Sequence, residues 1–506
     1  MIKKTLAFAI AIGIAINVHA AEKRPNILFI FSDDHAPHAI SAYGSVINQT
    51  PNIDRIAREG AILRHNVCGN SICGPSRATI LTGLHSHANG FMTNRDTFDG
   101  NQRTFPKLVQ RAGYTTAMIG KWHLKTEPQG FDYWDILPGQ GAYYNPDFVS
   151  VRGKRKVFGY NTDIVTDLGI KWMQEQRNPD KPFVLMCQFK APHRTWMPNL
   201  DHLDMYKGGD IPEPSDLFDD YSGRTSSISK NEASIATHLR PMYDLMLNES
   251  DWPKDQDERN ALRNLSRLSP EQRRLWDAAF AEENAAYEAA NLRGDDRTRW
   301  NYQRYIKNYL RSVASVDDNV GRLLDYLDWS GLAENTIVIY SSDQGFYLGD
   351  HGMYDKRWMY EESLGMPFVA RWPGVISPGT DIKSLTQNID FAPTFLEIAG
   401  VDVPEDMHGR SFLPLLKGET PDDWRDAIYY HYYEKGVHNV EPHEGVRTDR
   451  YKLIYFYEID EWEFFDLEMD PDEMQSVYLD RKYRKNVAAL KDRLDELKVQ
   501  YAVPTD

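Results

Sequence analysis

The sequence predicts an α/β protein in which helices sandwich a mixed sheet, followed by a smaller C-terminal subdomain with an antiparallel sheet and a helix. Near-continuous apolar runs, such as 25–31 and 336–340, are typical of strands buried on both faces. Helical segments separate these runs, as they do in βαβ units. From about residue 422, short aromatic strands with close turns replace this alternation, which indicates a small antiparallel sheet.

The chain divides into segments of different character. With 506 residues it exceeds the usual size of one domain. Residues 1–20 combine a basic start, a short apolar run and a small-residue end, which predicts a signal peptide and an exported bacterial protein, periplasmic or secreted. A membrane anchor is the alternative, but the apolar run is short for a span, so we expect no membrane span after cleavage. We expect a larger domain over 21–421, with a charged surface insertion at about 200–300, and a subdomain over 422–506.

The charge and the cysteines narrow the classes of partner. A formal net charge of -16 argues against nucleic acid, since phosphate backbones require clustered lysine and arginine. An anionic ligand would therefore depend on a local basic pocket. Three cysteines, Cys68, Cys73 and Cys187, cannot form a disulfide framework. Cys187 lies in an apolar strand and is expected to be buried, and the odd count leaves one cysteine for another role.

One stretch, 73–83, places a cysteine at the start of a helix. Pro75 suits the first helical turn because its missing N–H would have no partner there, and the apolar run 78–81 continues the helix. The N-terminus of a helix attracts an anion, and Arg77 adds a cation one turn further on. A buried cysteine beside a structural arginine is the alternative interpretation of Cys73. The pattern indicates a place that holds a sulfate or phosphate group.

Acidic and amide side chains follow two of the predicted strands. Asp33 and Asp34 end the first apolar run, and Asp343 and Gln344 follow the run 336–340. In open α/β sheets ligands bind at the carboxyl ends of strands, and adjacent buried carboxylates need a cation. A solvated turn is the alternative for the first pair. Oxygen ligands favour Ca²⁺ or Mg²⁺ over zinc.

Cations and imidazoles follow other predicted strands. Lys121 and His123 come after the strand 114–119, His193 follows the strand 182–189, and Lys356 lies in the loop beyond Gln344. A surface lysine and a capping histidine are the alternative for the first pair. A divalent cation surrounded by lysine and arginine suits a doubly charged oxyanion, so the combination predicts a site for a tetrahedral sulfate or phosphate ester.

The stretch 73–78, with its Thr-Gly end, resembles the signature of type I sulfatases of the alkaline-phosphatase-like superfamily. The resemblance extends over 24–477 and implies the alkaline-phosphatase-like mixed sheet, with 21–421 as the catalytic domain. It also implies that a formylglycine-generating maturation enzyme converts Cys73 to Cα-formylglycine. The metal would be Ca²⁺, with Mg²⁺ as the alternative, and the implied ligands are Asp33, Asp34, Cys73, Asp343 and Gln344. Gln344 is a departure, because the family often has Asn or His at this ligand position.

The same resemblance implies the catalytic roles. The residues concerned are Cys73, Arg77, Lys121, His123, His193 and Lys356. A hydrated formylglycine, activated by the metal and Arg77, would attack sulfur while Lys121 and Lys356 hold the sulfate oxygens. His193 would protonate the leaving group, and His123 would then help to expel sulfate.

The stretch 350–363 resembles bacterial glycan sulfatases and the N-acetylglucosamine-6-sulfatase and iduronate-2-sulfatase relatives. The expected reaction is hydrolysis of a sulfate ester of a carbohydrate, such as a glycosaminoglycan or algal polysaccharide fragment, to an alcohol and free sulfate. Candidate substrate-binding residues are His85, His87, Arg95, Trp196, His438 and His443. For each of them an ordinary surface or supporting role is the alternative. The alternative functions are a formylglycine-dependent phosphonate or phosphate-ester hydrolase on the same fold and a non-catalytic sulfoglycan-binding protein.

Overall fold

The computed structural model describes residues 24–249 and 254–504. The predicted signal peptide, 1–20, lies outside them. In chain order the strands are β1 (Asn26–Ser32), β2 (Ala61–Leu63), β3 (Asn66–Val67), β4 (Thr115–Lys121), β5 (Tyr133–Leu137), β6 (Asp147–Ser150), β7 (Gly153–Lys156), β8 (Phe183–Gln188), β9 (Thr336–Ser342), β10 (Tyr347–Leu348), β11 (Tyr354–Asp355), β12 (Phe368–Arg371), β13 (Thr380–Ile382), β14 (Thr386–Gln387), β15 (Ala427–Tyr432), β16 (His443–Thr448), β17 (Tyr451–Phe456) and β18 (Glu461–Asp466).

The α-helices vary from single turns to a rod of 36 residues. In chain order they are α1 (Pro51–Arg58), α2 (Cys73–Thr82), α3 (Ser86–Asn89), α4 (Phe105–Arg111), α5 (Asn161–Glu175), α6 (Ser226–Ser229), α7 (Gln256–Leu265), α8 (Pro270–Ala290), α9 (Gly294–Trp329), α10 (Glu361–Leu364), α11 (Phe391–Ile398), α12 (Leu413–Leu416) and α13 (Arg484–Gln500). In the described part of the chain, none of them has the length and apolar character that crossing a lipid bilayer requires.

A ten-stranded mixed sheet forms the centre of the molecule, in the order β13-β2-β12-β9-β1-β8-β4-β5-β6-β7. The neighbours from β9 to β5 are parallel, whereas β12 runs antiparallel to β9, and β6 and β7 run antiparallel at the other edge. Strand β1 is buried along its whole length because β8 and β9 flank it. The five parallel strands therefore deliver their carboxyl ends to one edge of the sheet, and the predicted fold class is confirmed.

Helices cover both faces of this sheet, as the alternation of side chains along β1 shows. Phe29 packs against Phe391 and Phe395 of α11, with ring centroids 5.9 and 5.2 Å away. Its neighbours Leu28 and Ile30 point to the opposite face and join the core formed with α1, α5 and α9. Burial on both faces explains why the strand reads as a continuous apolar run rather than as an alternating one.

The C-terminal sheet, β15-β16-β17-β18, is antiparallel and packs between two partners. Leu453 and Phe464 face α13, where they meet Leu490. Ile454 and Phe465 point the other way, into the core around Tyr360. The predicted antiparallel sheet and closing helix are confirmed, while the division of the chain at residues 421 and 422 stays a prediction.

Candidate active site

The carboxyl ends of β1 and β9 bring three carboxylates together. Asp33 and Asp34 follow β1, Asp343 follows β9, and one carboxylate oxygen from each lies within 4.8 Å of the others. All three side chains are completely buried. Three buried carboxylates this close repel one another, so a cation among them would be strongly favoured.

Asp33 is held by two cations from other elements. Lys121, at the end of β4, forms an ion pair with it, and Nη2 of Arg77 lies 3.6 Å from Oδ1. Burial opposes the negative charge, yet Lys121, His193 and Arg77 together hold the pKa of Asp33 well below its usual value. Oδ1 is buried and accepts no hydrogen bond from any residue that the structure describes.

The ionised forms of Asp34 and Asp343 are stabilised less than that of Asp33. Nζ of Lys356 donates to both carboxylate oxygens of Asp34, at 2.6 and 2.7 Å, and the Asp34 N–H donates to Oδ1 of Asp343 at 3.0 Å. Nε2 of Gln344 also donates to Asp34. Burial raises the pKa of Asp34 to about 6, and burial together with the charge of Asp33 raises the pKa of Asp343 to about 7.

The donor set of this cluster fits a hard divalent cation. Its atoms are carboxylate and amide oxygens, which Ca²⁺ and Mg²⁺ prefer. Two of them, Oδ1 of Asp33 and Oε1 of Gln344, are buried and accept no hydrogen bond within residues 24–249 and 254–504. Such orphaned oxygens are costly unless a cation or a donor meets them. The acidic cluster can therefore bind a metal ion.

Cys73 is the first residue of α2 and faces the same cluster. Its thiol lies close to Asp33 and His193, since one ligand atom of each lies within 4.8 Å of the others. Burial raises the pKa of the thiol to about 12, although Lys356 and Lys121 act in the opposite direction. A protonated thiol is a poor nucleophile, so an unmodified Cys73 is not activated in this environment.

Arg77, one turn into α2, is clamped from several sides. It donates to Oδ2 of Asp343 from Nε at 3.1 Å and from Nη2 at 2.9 Å. Nη1 donates to Oε1 of Gln188 at 2.5 Å and to the carbonyl of Lys121 at 3.0 Å. These contacts join α2 to the carboxyl ends of β4, β8 and β9. The guanidinium is therefore fixed beside position 73.

Two histidines of the predicted site lie near these charges. Nε2 of His193 is 3.8 Å from Oδ2 of Asp34, while Nδ1 contacts the carbonyl of Arg194. Nδ1 of His123 is buried and has no partner in the described ranges. Burial lowers the pKa of both imidazoles well below the ordinary value, and Lys121 adds to the effect. A carbonyl oxygen only accepts, so Nδ1 of His193 donates in this contact and Nε2 is the nitrogen that lies nearer Asp34.

Sequence reasoning missed several polar side chains that support this site. Oε1 of Gln140 accepts from Lys121 at 2.5 Å, and Oδ1 of Asn94 accepts from the Gly74 N–H at 3.1 Å. Both residues come from loops without a recognisable pattern. Asp355 and Arg357 flank Lys356 in the sequence, and their side chains form an ion pair at 3.0 Å. Their adjacency to a predicted sulfate-binding lysine was a signal that could have identified them.

Four of the predicted substrate-binding residues make ring contacts with groups outside the acidic cluster. Trp196 is completely buried, and its ring centroid is 4.5 Å from that of Tyr305. His443 is also completely buried and packs against Phe456. The remaining two form a cluster with a tyrosine beyond α13: His85 and His87. His85 is buried and His87 is half-buried, and the roles of all four residues in substrate binding stay predictions.

The other two predicted substrate-binding residues lie nearer the site. Nε2 of His438 is 3.4 Å from Oδ2 of Asp355, the residue before Lys356. Arg95 is exposed, and its Nε lies 3.6 Å from a carboxylate oxygen of Glu434. Their roles in binding stay predictions.

Comparison with known proteins decides the family. The family model described as Sulfatase matches residues 25–401. The chain belongs to the sulfatase family. A second model, described as N-sulphoglucosamine sulphohydrolase, C-terminal, matches residues 349–500. The enzyme is therefore a sulfuric ester hydrolase, as the resemblance of the stretch 73–78 implied.

Individual relatives agree with this family. The N-acetylglucosamine-6-O-sulfatase of Bacteroides thetaiotaomicron is 48% identical over 489 residues, which cover 95% of this chain and 87% of the relative. The N-acetylglucosamine-6-sulfatase of Homo sapiens is 26% identical over 456 residues, covering 84% and 70%. A solved structure, described as a complex with its substrate D-glucosamine-2-N,6-O-disulfate, matches with a TM-score of 0.91 and 46% identity, covering 95% of this chain and 98% of the other.

Proposed function

We propose that this sulfatase removes the 6-O-sulfate of a glucosamine-type sugar in a sulfated glycan, releasing the alcohol and free sulfate. The observation that carries the proposal is the 48% identity to the N-acetylglucosamine-6-O-sulfatase of Bacteroides thetaiotaomicron over almost the whole chain. The electrostatics of the site support it. Lys121, Lys356 and Arg77 surround a buried cluster of carboxylates, and with a divalent cation in place they would suit a sulfate ester.

Two groups would complete the site. Asp33, Asp34, Asp343 and Gln344 would hold Ca²⁺, or Mg²⁺ as the alternative, whose charge would draw the sulfate oxygens into place. A maturation enzyme would convert Cys73 to formylglycine, which would supply the nucleophile that a protonated thiol does not. Export of the protein to the periplasm or beyond would follow from the predicted signal peptide at 1–20.

The side chains of the site would divide the remaining work. Lys121 and Lys356 would bind sulfate oxygens, since each ammonium is buried at the edge of the carboxylate cluster. Nε2 of His193 would hold the proton that passes to the leaving-group oxygen. A negative sulfate beside this imidazole would raise its lowered pKa, so the ring would gain its proton when substrate binds.

The sugar would be recognised beside Lys356. Asp355 and Arg357 flank this lysine, and Nη1 of Arg357 is buried without a hydrogen-bond partner among the described residues. A carboxylate accepts hydrogen bonds from hydroxyl groups, and a guanidinium donates to their oxygens, so the pair suits two neighbouring sugar hydroxyls. His438, 3.4 Å from Asp355, would help to orient the carboxylate.

Sulfate release from 6-O-sulfated N-acetylglucosamine tests this proposal. The protein is produced together with a formylglycine-generating enzyme, and the mass of the peptide that contains residue 73 is measured. We expect Cys73→Ala to lower kcat by about 10⁴-fold or more, because the covalent route is lost. Cys187→Ala, which changes a buried cysteine of β8, is the matched control and should keep most of the activity. Turnover of aryl sulfates alone, or near-normal activity of Cys73→Ala, would contradict the proposal.

A further inference from the structure

A cleft of about 360 Å³ opens beside His193. Its walls come from the loop that follows β5, from the residues between β8 and Thr195, and from α7 with the turn behind it. The last wall belongs to the charged insertion at about 200–300. The insertion therefore faces the site and shapes the space next to the leaving group.

The charges along this cleft are unbalanced. The lining contains four cations and one carboxylate: Lys190, Arg194, Arg263, Arg267 and Asp147. Two of the cations are neutralised, since Arg194 pairs with Asp244 at 2.7 Å and Arg267 pairs with Asp147 at 3.1 Å. In a chain with a net charge of -16, such a local excess of positive charge is what would attract an anion.

Lys190 is the buried cation of this cleft. Its residue is 4% exposed, and its Nζ lies 5.0 Å from the centroid of the Tyr143 ring, which lines the same cleft. Within 24–249 and 254–504, no hydrogen bond or ion pair satisfies its ammonium. Burial and the repulsion of Lys121 lower the pKa of Lys190 to about 7. A buried ammonium without a partner is costly, and an anion in the cleft would offset that cost.

Arg263 is the second cation without a carboxylate partner. It lies on α7, and its guanidinium donates to Oδ1 of Asn260, one turn earlier. In the described part of the chain, no carboxylate oxygen is found within 4.0 Å of its nitrogens. The guanidinium is thus free to bind an anion that enters between α7 and Lys190.

We propose that this cleft binds a second anionic group, a sulfate or a carboxylate, on the same glycan whose sulfate ester is cleaved. Lys190 and Arg263 are its counter-charges. The inference rests on the proposed glycan sulfatase function and adds a subsite to it. The second anion comes either from the same sugar, as an N-sulfo group, or from a neighbouring uronic acid, and the two sources share the chemistry that the cleft recognises.

Three substrates separate these sources. All contain 6-O-sulfated glucosamine: the N-acetylated monosaccharide, the N-sulfated monosaccharide, and a disaccharide in which the N-acetylated residue is joined to a uronic acid. We expect kcat/KM of at least one anion-bearing substrate to exceed that of the N-acetylated monosaccharide by about tenfold at low ionic strength. The anion-bearing substrate that shows the higher kcat/KM identifies the source of the second anion.

Variants then test whether residues of the cleft cause the higher kcat/KM for anion-bearing substrates. Arg263→Ala and Lys190→Met should each lower the ratio of kcat/KM for anionic over neutral substrate by about three- to tenfold. Lys190→Met keeps the length of the side chain and removes a buried charge, so thermal unfolding should show a folded protein. Arg259→Ala is the matched control, because Arg259 lies on the same helix but donates to the carbonyl of Lys254 outside the cleft.

The outcomes show separately whether the subsite exists and whether the proposed sulfatase function is correct. If the wild-type enzyme releases sulfate from the N-acetylated monosaccharide but the ratio is one for both anionic substrates, the subsite is wrong and the proposed function stands. If none of the three substrates releases sulfate, the proposed function itself is wrong. An equal fall of the ratio in Arg259→Ala would reveal a general charge effect and overturn the assignment to Arg263.

Discussion

Two pairs of histidines that the sequence placed in one site lie in different surroundings. His123 and His193 follow the ends of β4 and β8, where His193 lies 3.8 Å from a carboxylate oxygen of Asp34. His85 and His87 lie at α3, and Nε2 of His87 contacts the carbonyl of Tyr501 at 2.8 Å. Burial lowers the pKa of all four rings. Burial and a lowered pKa therefore do not separate a catalytic histidine from a structural one.

The two pairs of histidines differ in the groups that surround them. The strand-end pair faces carboxylates and lysines, groups that can hold a charged substrate and exchange a proton with it. The second pair, together with His408, packs on Tyr501 just beyond α13 and attaches that helix to the rest of the molecule; the His85 and Tyr501 ring centroids are 4.4 Å apart. The first pair should therefore affect turnover, and the second pair should affect stability.

Among the histidines, the largest effect is expected for His193→Ala. Loss of a proton donor at the leaving group should lower kcat by about 10³-fold with little change in the unfolding temperature. His408→Gln is the matched control from the other group and should lower kcat by less than about threefold, since it touches no group of the acidic cluster. Similar losses of kcat in the two variants would show that the charged neighbours of His193 do not give it a role in turnover that His408 lacks.

Removal of divalent ions should give the next largest effect. Dialysis against a chelator leaves three buried carboxylates to repel one another, so the unfolding temperature should fall by about 2–4 °C and recover with Ca²⁺. Asp343→Asn removes one of the charges and should show a smaller fall on chelation. His408→Gln should fall as much as the wild-type protein. An unchanged unfolding temperature after chelation would argue against a metal in the cluster.

The parts that sequence reasoning predicted share a physical cause. Apolar runs that stop abruptly at Asp33 and Asp343 identify buried parallel strands, and such strands deliver their last residues to one edge of a sheet. The position of those acids therefore followed from local pattern and topology alone. The start of α9 is less readable, since its first residues, 294–299, are polar and carry no apolar period.

The parts that it missed depend on packing between distant segments. The indole ring of Trp196 is of the kind that stacks on sugars, but tertiary packing buries it against Tyr305. Gln140 and Asn94 reach the site from loops whose path no periodicity encodes. Arg263 lies in the insertion at about 200–300, where no sequence pattern relates it to the strand ends. Its position beside the cleft at His193 is visible only in the folded chain.

The smallest expected effect is a pH dependence of stability in the second histidine group. Burial, with a contribution from His87, lowers the pKa of His408 to about 4, whereas an unfolded histidine has a pKa of about 6.5. The unfolded chain therefore binds this proton more readily, so the stability contributed by neutral His408 is complete above about pH 6.5 and is lost as the pH falls toward 4. Because the ring is partly exposed, the loss at pH 4 to 5 should be about 1 kcal/mol. Denaturant unfolding at pH 7 and pH 5 should show a smaller decrease in the free energy of unfolding for His408→Gln than for the wild-type protein. Equal decreases would mean that the pKa of His408 is the same in the folded and the unfolded chain.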